Sequence, residues 1–408
     1  MDPVGNPYAP GAGQRPPELA GRDAELGAFD VALERLSRGR AERSIVLTGL
    51  RGVGKTVLLN AMRSQAVKRG WGTGKLEARP GQALRRPLAG ALHQAVRELG
   101  GRNSGDADDV LGVIKAFALR SNPPGTKLRD QWTGGIDVAP ANGRADSGDI
   151  EIDLVELLTD VAGLAAAQGK GVVLGIDEMQ DLAADDISAL CAACHDLSQL
   201  GLPLVVMGAG LPHLPAKLSA SKSYSERLFR YLRIDRLEAE QARRALALPA
   251  GDEGVSFTDE ALAELYLATD GYPYFIQAYG KATWDAAPRS PITTEDVRIA
   301  APHAEGELAV GFFGSRYERA TPAEREYILA MADLGVTPTG QNGDGADGPI
   351  STAAVAESLG RKPQSLSPAR DSLLRKGLVY SGQRGHIAFT VPHFGRYLRT
   401  RTVDAASA

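Results

Sequence analysis

The chain has 408 residues, 43% hydrophobic and 24% charged, which are ordinary globular values with room for two or three domains. No window approaches the ~20 consecutive apolar residues of a membrane span. Two cysteines speak against a disulfide framework and for a reducing compartment, the cytoplasm by default. The net charge of −4 hides an asymmetry, because Ser351 to Arg401 holds nine Lys/Arg against Glu357 and Asp371. Such a basic end is what meets a polyanion, or else a solvated surface.

The opening "MDPVGNPYAPGAGQRPPELAG" lacks the basic start and apolar core of a secretory signal, and its Pro and Gly predict a flexible tail over residues 1–17. Ser44 to Thr48 (SIVLT) reads as a short buried strand, followed by "GLRGVGKT" and then an apolar-periodic helix from Thr56. The octapeptide fits G-x-x-x-x-G-K-[ST] in the strand–loop–helix context that pattern requires. Glycines let backbone N–H groups converge on phosphate oxygens, and the helix presents its positive end to the same anion. The candidate phosphate cradle is therefore Gly49, Leu50, Arg51, Gly52, Val53, Gly54, Lys55, Thr56 and Val57. Lys55 would reach the β- and γ-phosphates of ATP, and the Thr56 hydroxyl would ligate Mg²⁺.

Further along, Gly72 to Ala78 is a plausible strand, followed by a helix through "LAGALHQAVRELG". The Pro/Gly-rich residues 121–149 read as a surface insertion. "DLVELLTDVAGLAAAQG" is helical, and Val172 to Ile176 is a buried strand ending in Asp177 and Glu178. Carboxylates at the C-terminal edge of such a strand sit where open α/β sheets bind ligands. Asp177 is the metal candidate and Glu178 the catalytic candidate that would deprotonate an attacking water. Leu202 to Gly210 and Arg230 to Ile234 complete the strands. Alternation with helices predicts an α/β fold, a parallel sheet covered on both faces.

At the other end, "TPAEREYILAMADLG" reads as a helix capped by Thr321, and "GQNGDGADGP" as a flexible loop. "STAAVAESLG" and "KPQSLSPARDSLLRKGLV" give two helices, and "YSGQRGHIAFTVP" a two-stranded ribbon. This order predicts a C-terminal winged helix-turn-helix. In such folds the later helix enters the DNA major groove while the ribbon touches backbone. Ser365, Ser367 and Arg370 would face double-stranded DNA, with Arg361 and Lys362 near phosphates and Arg384 and His386 at the wing tip. Winged helices also bind proteins, and that alternative stays open. Cys191 and Cys194 lie in a helical apolar pattern with only His195 nearby, so they read as core rather than as a zinc or redox site.

With these elements located, the chain resembles AAA+-type P-loop ATPases. More narrowly, it resembles bacterial relatives of archaeal and eukaryotic replication initiators and the STAND signal-transduction ATPases. The likeness extends to Leu19–Leu26 (LAGRDAEL), and "KSYSERLFRYLRI" and "GYPYFIQAYGKATW" are similar to the core end and lid of actinobacterial-type ATP-binding proteins. The resemblance implies a core over residues 18–236, a small helical lid over 237–305, the winged helix over 306–402 and a tail over 403–408. It implies an arginine finger, for which Arg227 is the first candidate and Arg230 the second. It also implies nucleotide contact by Pro273 of Gly271-Tyr272-Pro273-Tyr274. These families place a polar sensor at the tip of the strand after Asp-Glu, where this chain has Met207-Gly208-Ala209-Gly210. The expectation is a slow, nucleotide-dependent switch rather than a fast motor, with a STAND-like signalling ATPase or a non-hydrolysing nucleotide-binding scaffold as the alternatives.

Overall fold

A computed structural model describes residues 1–11, 13–100, 105–120, 134–335 and 348–407, the last six without side-chain detail. The expected flexible loop "GQNGDGADGP" (all but its last two residues) and the first part of the 121–149 insertion lie outside the described residues. The chain divides into two units. One holds Arg22–Thr48 and Lys55–Arg233; the other holds Met1–Gly21, Gly49–Gly54 and Ile234–Ala408.

The first, the sheet unit, runs α1 (Asp23–Ser37), β1 (Ser44–Thr48), α2 (Lys55–Lys68), β2 (Gly72–Glu77), α3 (Arg85–Glu98) and α4 (Gly105–Leu119). It continues with α5 (Ile150–Ala167), β3 (Val172–Asp177), α6 (Ala184–Leu200), β4 (Leu204–Gly210), α7 (Leu214–Ser221), α8 (Ser225–Leu228) and β5 (Phe229–Arg233). All pairings are parallel in the order β2-β3-β4-β1-β5. Every residue of β1, β3 and β4 is buried, the mark of a parallel sheet covered on both faces. The predicted strands agree with the observed ones to within one or two residues at their ends. Helix α4 is an addition to the sequence reading.

Local chemistry explains the long helix that precedes β3. Asp149 caps α5 by accepting from the N–H groups of Glu151 and Ile152, and Leu154, Leu157, Leu158, Val161 and Ala165 then bury one face. A buried ion pair ties α3 to α5: Arg85 Nη2 lies 2.7 Å from Asp153 Oδ2, and the guanidinium covers the Phe117 ring at 4.7 Å. Asp153 is fully buried. Burial raises its pKa, but hydrogen bonds from Ser147 and Arg85 outweigh this and hold the carboxyl below its ordinary value.

The second, the carboxy-terminal unit, begins with α9 (Ala239–Asp252), α10 (Asp259–Thr269), α11 (Pro273–Ala286) and α12 (Thr294–Glu307). A π-helical segment, Leu308–Gly314, leads into α13 (Ser315–Glu318) and α14 (Pro322–Leu334). Then come β6 (Ile350–Ser351), α15 (Thr352–Ser358), α16 (Pro363–Arg375), β7 (Val379–Tyr380), β8 (His386–Phe389) and α17 (Phe394–Ser407). The three short strands form an antiparallel sheet in the order β6-β8-β7. Thr321 and Glu324 make the capping box of α14, with Pro322 at its first turn.

Two findings differ from expectation. The N-terminal stretch is not a free tail: Tyr8 is buried, its hydroxyl donates to Leu246 O at 2.6 Å, and Trp284 Nε1 donates to Asp2 O at 2.9 Å. A tyrosine with a hydroxyl partner buries more apolar surface than the surrounding Pro and Gly suggested. Second, residue 305 falls within a helical run, and aromatic rings pack across it. Phe313 stacks on Tyr397 at 5.1 Å and contacts Phe275 at 6.0 Å, so α11 and α17 share one core.

Candidate nucleotide-binding site

Strand β1 delivers the chain to the glycine loop, and the loop delivers it to the first turn of α2. Gly52 and Gly54 have φ of 86° and 90°, left-handed backbone that side-chain-bearing residues resist. Gly49 answers a different demand, since a Cβ there would lie 2.1 Å from Ile234 O. Lys55 opens α2 and is buried. Beside it, Thr56 Oγ1 donates to Asp177 Oδ2 at 2.8 Å, joining the start of α2 to the end of β3. Asp177 is also buried, its Oδ1 accepts from the Glu178 N–H at 3.0 Å, and Lys75 Nζ stands 3.9 Å from Oδ2. Glu178 takes left-handed backbone (φ 48°), a conformation uncommon for its type that recurs where function demands it. Its Oε2 accepts from Gln180 Nε2 at 2.5 Å. Sequence reasoning missed Gln180.

The donor set is oxygen-only: one hydroxyl and one carboxylate in mutual contact. That suits Mg²⁺, which takes one or two protein oxygens and completes its shell with water and phosphate. Among the described residues no cluster of three or more His, Cys, Asp or Glu could hold a metal ion.

Gly49–Gly54 groups with the carboxy-terminal unit. There the Arg51 N–H donates to Thr390 O at 2.9 Å, and the Tyr274 N–H donates to Gly52 O at 3.3 Å. Thr390 is fully buried and its hydroxyl donates to Gly377 O at 2.6 Å. Pro273, the first residue of α11, precedes that Tyr274 contact.

Comparison with known proteins agrees with this geometry. The sequence model of the AAA ATPase domain matches residues 18–207. Residues 18–207 are thus similar in sequence to that domain. A domain of unknown function (DUF8462) matches residues 310–398. No curated protein matches the sequence. Among solved structures, the Walker-type ATPase of Pyrococcus abyssi superposes with a TM-score of 0.58 at 13% identity, covering 94% of this chain and 97% of that one. The ORC2 protein of Aeropyrum pernix, solved as ADPNP–ADP complexes, gives 0.53 at 16% identity with 98% of both chains covered. At these identities the likeness is one of fold alone.

Other candidates lie apart from the Thr56–Asp177 pair. Arg227 on α8 and Arg230 on β5 are both exposed, and β5 begins opposite Ser44, at the edge where the strands start rather than where Asp177 ends β3. Cys191 and Cys194 are buried and reduced on α6, as read from the sequence, and burial pushes their thiols up to about 11 and about 12. No helix among the described residues is long and apolar enough to cross a membrane.

Of the basic candidates, Arg361, Lys362, Ser365 and Arg384 are exposed, and Ser367, Arg370 and His386 half-buried. Several are already engaged. Ser365 and Ser367 hydroxyls donate to Lys362 O (2.8 Å) and Pro363 O (3.3 Å). Arg361 pairs with Glu326 at 3.1 Å and Arg370 with Asp371 at 2.9 Å. His386 Nδ1 lies 3.3 Å from Arg384 O. Lys376 and Arg396 find Glu324 and Glu305 at 2.6 and 3.0 Å. Three of these four acids precede residue 351, so the fold neutralises part of the surplus that counting along the chain displays.

Proposed function

We propose that the protein is a Mg-ATP-binding, slowly hydrolysing switch that couples nucleotide state to a C-terminal winged helix directed at DNA. The observation that carries the reading is the 2.8 Å hydrogen bond from Thr56 to Asp177, with Lys55 beside it at the N-terminus of α2. Lys55 and the N–H groups of Gly49 to Val57 bind the phosphates, and Thr56 and Asp177 hold the magnesium. When bound, that cation neutralises charge on the β- and γ-phosphate oxygens. Glu178 accepts a proton from the attacking water as its oxygen bonds the γ-phosphorus and the bridging bond to ADP breaks. Arg227, remote from this pair, serves as a finger only for a neighbouring copy. Pro273 and Tyr274 report nucleotide to the lid through the Gly52 carbonyl. A reducing, cytoplasmic setting is in keeping with two buried free thiols.

The order helix, strand, helix, helix and two-stranded ribbon supports the winged-helix reading, with Lys362 and Arg384 the exposed candidates for phosphate contact. A second reading, protein contact by the same module, draws support from its internally paired cations. Calorimetry with Mg-ATP tests the nucleotide half; absence of heat from folded protein refutes it. A DNA gel shift at two salt concentrations, with and without ATP, tests the other half. No shift at low salt transfers the module to a protein partner.

A further inference from the structure

The β4 tip lacks the polar side chain that the resemblance led one to expect, and the structure gives the physical reason. The turn after Asp177 lays its own side chains into that space. A Cβ on Gly208 would stand 2.5 Å from Met179 Sδ, and one on Gly210 would stand 2.7 Å from Gln180 Oε1 and 2.7 Å from Leu214 Cδ2. The two glycines keep room for Met179 and Gln180, which are both buried.

Gln180 is held at both ends of its amide. Oε1 accepts from the Leu211 N–H at 3.1 Å, just past the end of β4, and Nε2 donates to Glu178 Oε2 at 2.5 Å. Its main chain is held as well, since Lys217 Nζ donates to Gln180 O at 2.6 Å and to Leu182 O at 2.7 Å. A side chain whose acceptor and donor are both committed, in a buried site, has one orientation and imposes it on its partner. Asn or Ser at Gln180's position would be too short to span the same two groups.

We propose that Gln180 is a positioning residue for Glu178, supplying from the β3 turn the polar contact that β4 cannot carry. Its amide fixes the carboxylate relative to the β4 end, so that movement at Leu211 is passed to the group that takes the water's proton. The inference rests on the reading of Glu178 as that group.

The test is single-turnover ATP hydrolysis, with calorimetric Mg-ATP affinity and thermal stability alongside. Gln180→Met keeps length and volume and removes both hydrogen bonds. Gly210→Ala leaves Gln180 in place but crowds its Oε1. Both are expected to slow turnover about ten- to hundredfold, the usual cost of losing an orienting partner. Mg-ATP affinity should stay within about twofold, and adding Gln180→Met to Glu178→Gln should change the residual rate by less than about twofold, because both act through one group. A wild-type rate in Gln180→Met, or a second full loss on top of Glu178→Gln, overturns the proposal. So does a lost affinity accompanied by a lowered melting temperature, which marks a structural role. If Glu178→Gln itself turns over normally, the base assignment fails and Gln180 falls with it. An active Gln180→Met beside an inactive Glu178→Gln overturns only the present inference.

Discussion

The sheet unit and the carboxy-terminal unit use charged residues in different ways. In the sheet unit, Asp177 and Lys55 are buried at a strand end and a helix start. Their neighbour Thr56 touches Asp177 directly, although 121 residues separate the two. In the carboxy-terminal unit, Arg361, Arg370, Lys376 and Arg396 are each matched by an acid. Burying a charge costs several kcal/mol unless something compensates it, so a cluster drawn together at a strand tip is costly on stability grounds alone. Surface pairs, by contrast, are worth at most about 1 kcal/mol and need no ligand to justify them. Concentrated charge in the sheet unit therefore points to chemistry, whereas a charge surplus in the other unit is a poor guide until the fold shows which charges are spoken for.

The largest effect that sharpens this contrast is expected at Lys55. Lys55→Ala removes the cation placed at the N-terminus of α2 and should weaken Mg-ATP binding by at least about a hundredfold, which calorimetry reads directly. Affinity within a few fold of wild type would mean that the loop does not grip phosphate. Next in size, Glu178→Gln should preserve ATP affinity while lowering turnover by about a hundredfold or more, the usual range for a lost general base. Normal phosphate release from that variant would move the base elsewhere.

Legibility in the sequence followed the same divide. The glycine loop, Lys55, Thr56 and the Asp177–Glu178 strand end were readable because their geometry is encoded at fixed short spacings within single elements. Strands β1, β3 and β4 were readable because strands buried on both faces write themselves as apolar runs. Gln180 was not, since its importance lies in a contact with Leu211, 31 residues away, and in two glycines that look like an absent sensor. Nor was the docking of Tyr8 on Leu246, 238 residues on, in a segment whose composition reads as loose. The partners of Arg396 and Lys376 lie 91 and 52 residues upstream, so no local count of charge reveals them.

One of those pairs carries structural weight. Glu324 is buried, caps α14 through the Thr321 N–H at 2.8 Å, and accepts from Lys376 Nζ at 2.6 Å. Burial pushes its pKa up, but hydrogen bonds from Lys376, Ser372 and Thr321 prevail and hold it below the ordinary carboxylate value. A depressed folded-state pKa means that the group stabilises the fold fully above the unfolded value, about 4.3. That stabilisation is lost as pH falls through the folded value. Glu324→Gln should cost about 2–4 kcal/mol at neutral pH, combining a cap with a mostly buried ion pair. It should also flatten the acid limb of stability below about pH 4. Denaturant melts at pH 7 and pH 3 check both. An unchanged acid limb would place the pair among the weak surface contacts.

The smallest effect decides what the remaining charges do. Lys362 and Arg384 are exposed and have no acid partner among the described residues, whereas Arg361 and Arg370 do. Each phosphate that a cation neutralises adds about 0.9 to the slope of log affinity against log salt. Lys362→Ala and Arg384→Ala should each lower that slope by about 0.9 on DNA, a three- to fourfold change in affinity between 50 and 200 mM salt. Arg361→Ala and Arg370→Ala should leave it nearly unchanged, because their charge is already answered within the protein. Equal losses at all four positions would show that DNA outcompetes Glu326 and Asp371, and the contrast between the units would dissolve. A flat slope in every variant would remove nucleic acid from the module's account, leaving its paired cations as the scaffold of a protein-binding surface.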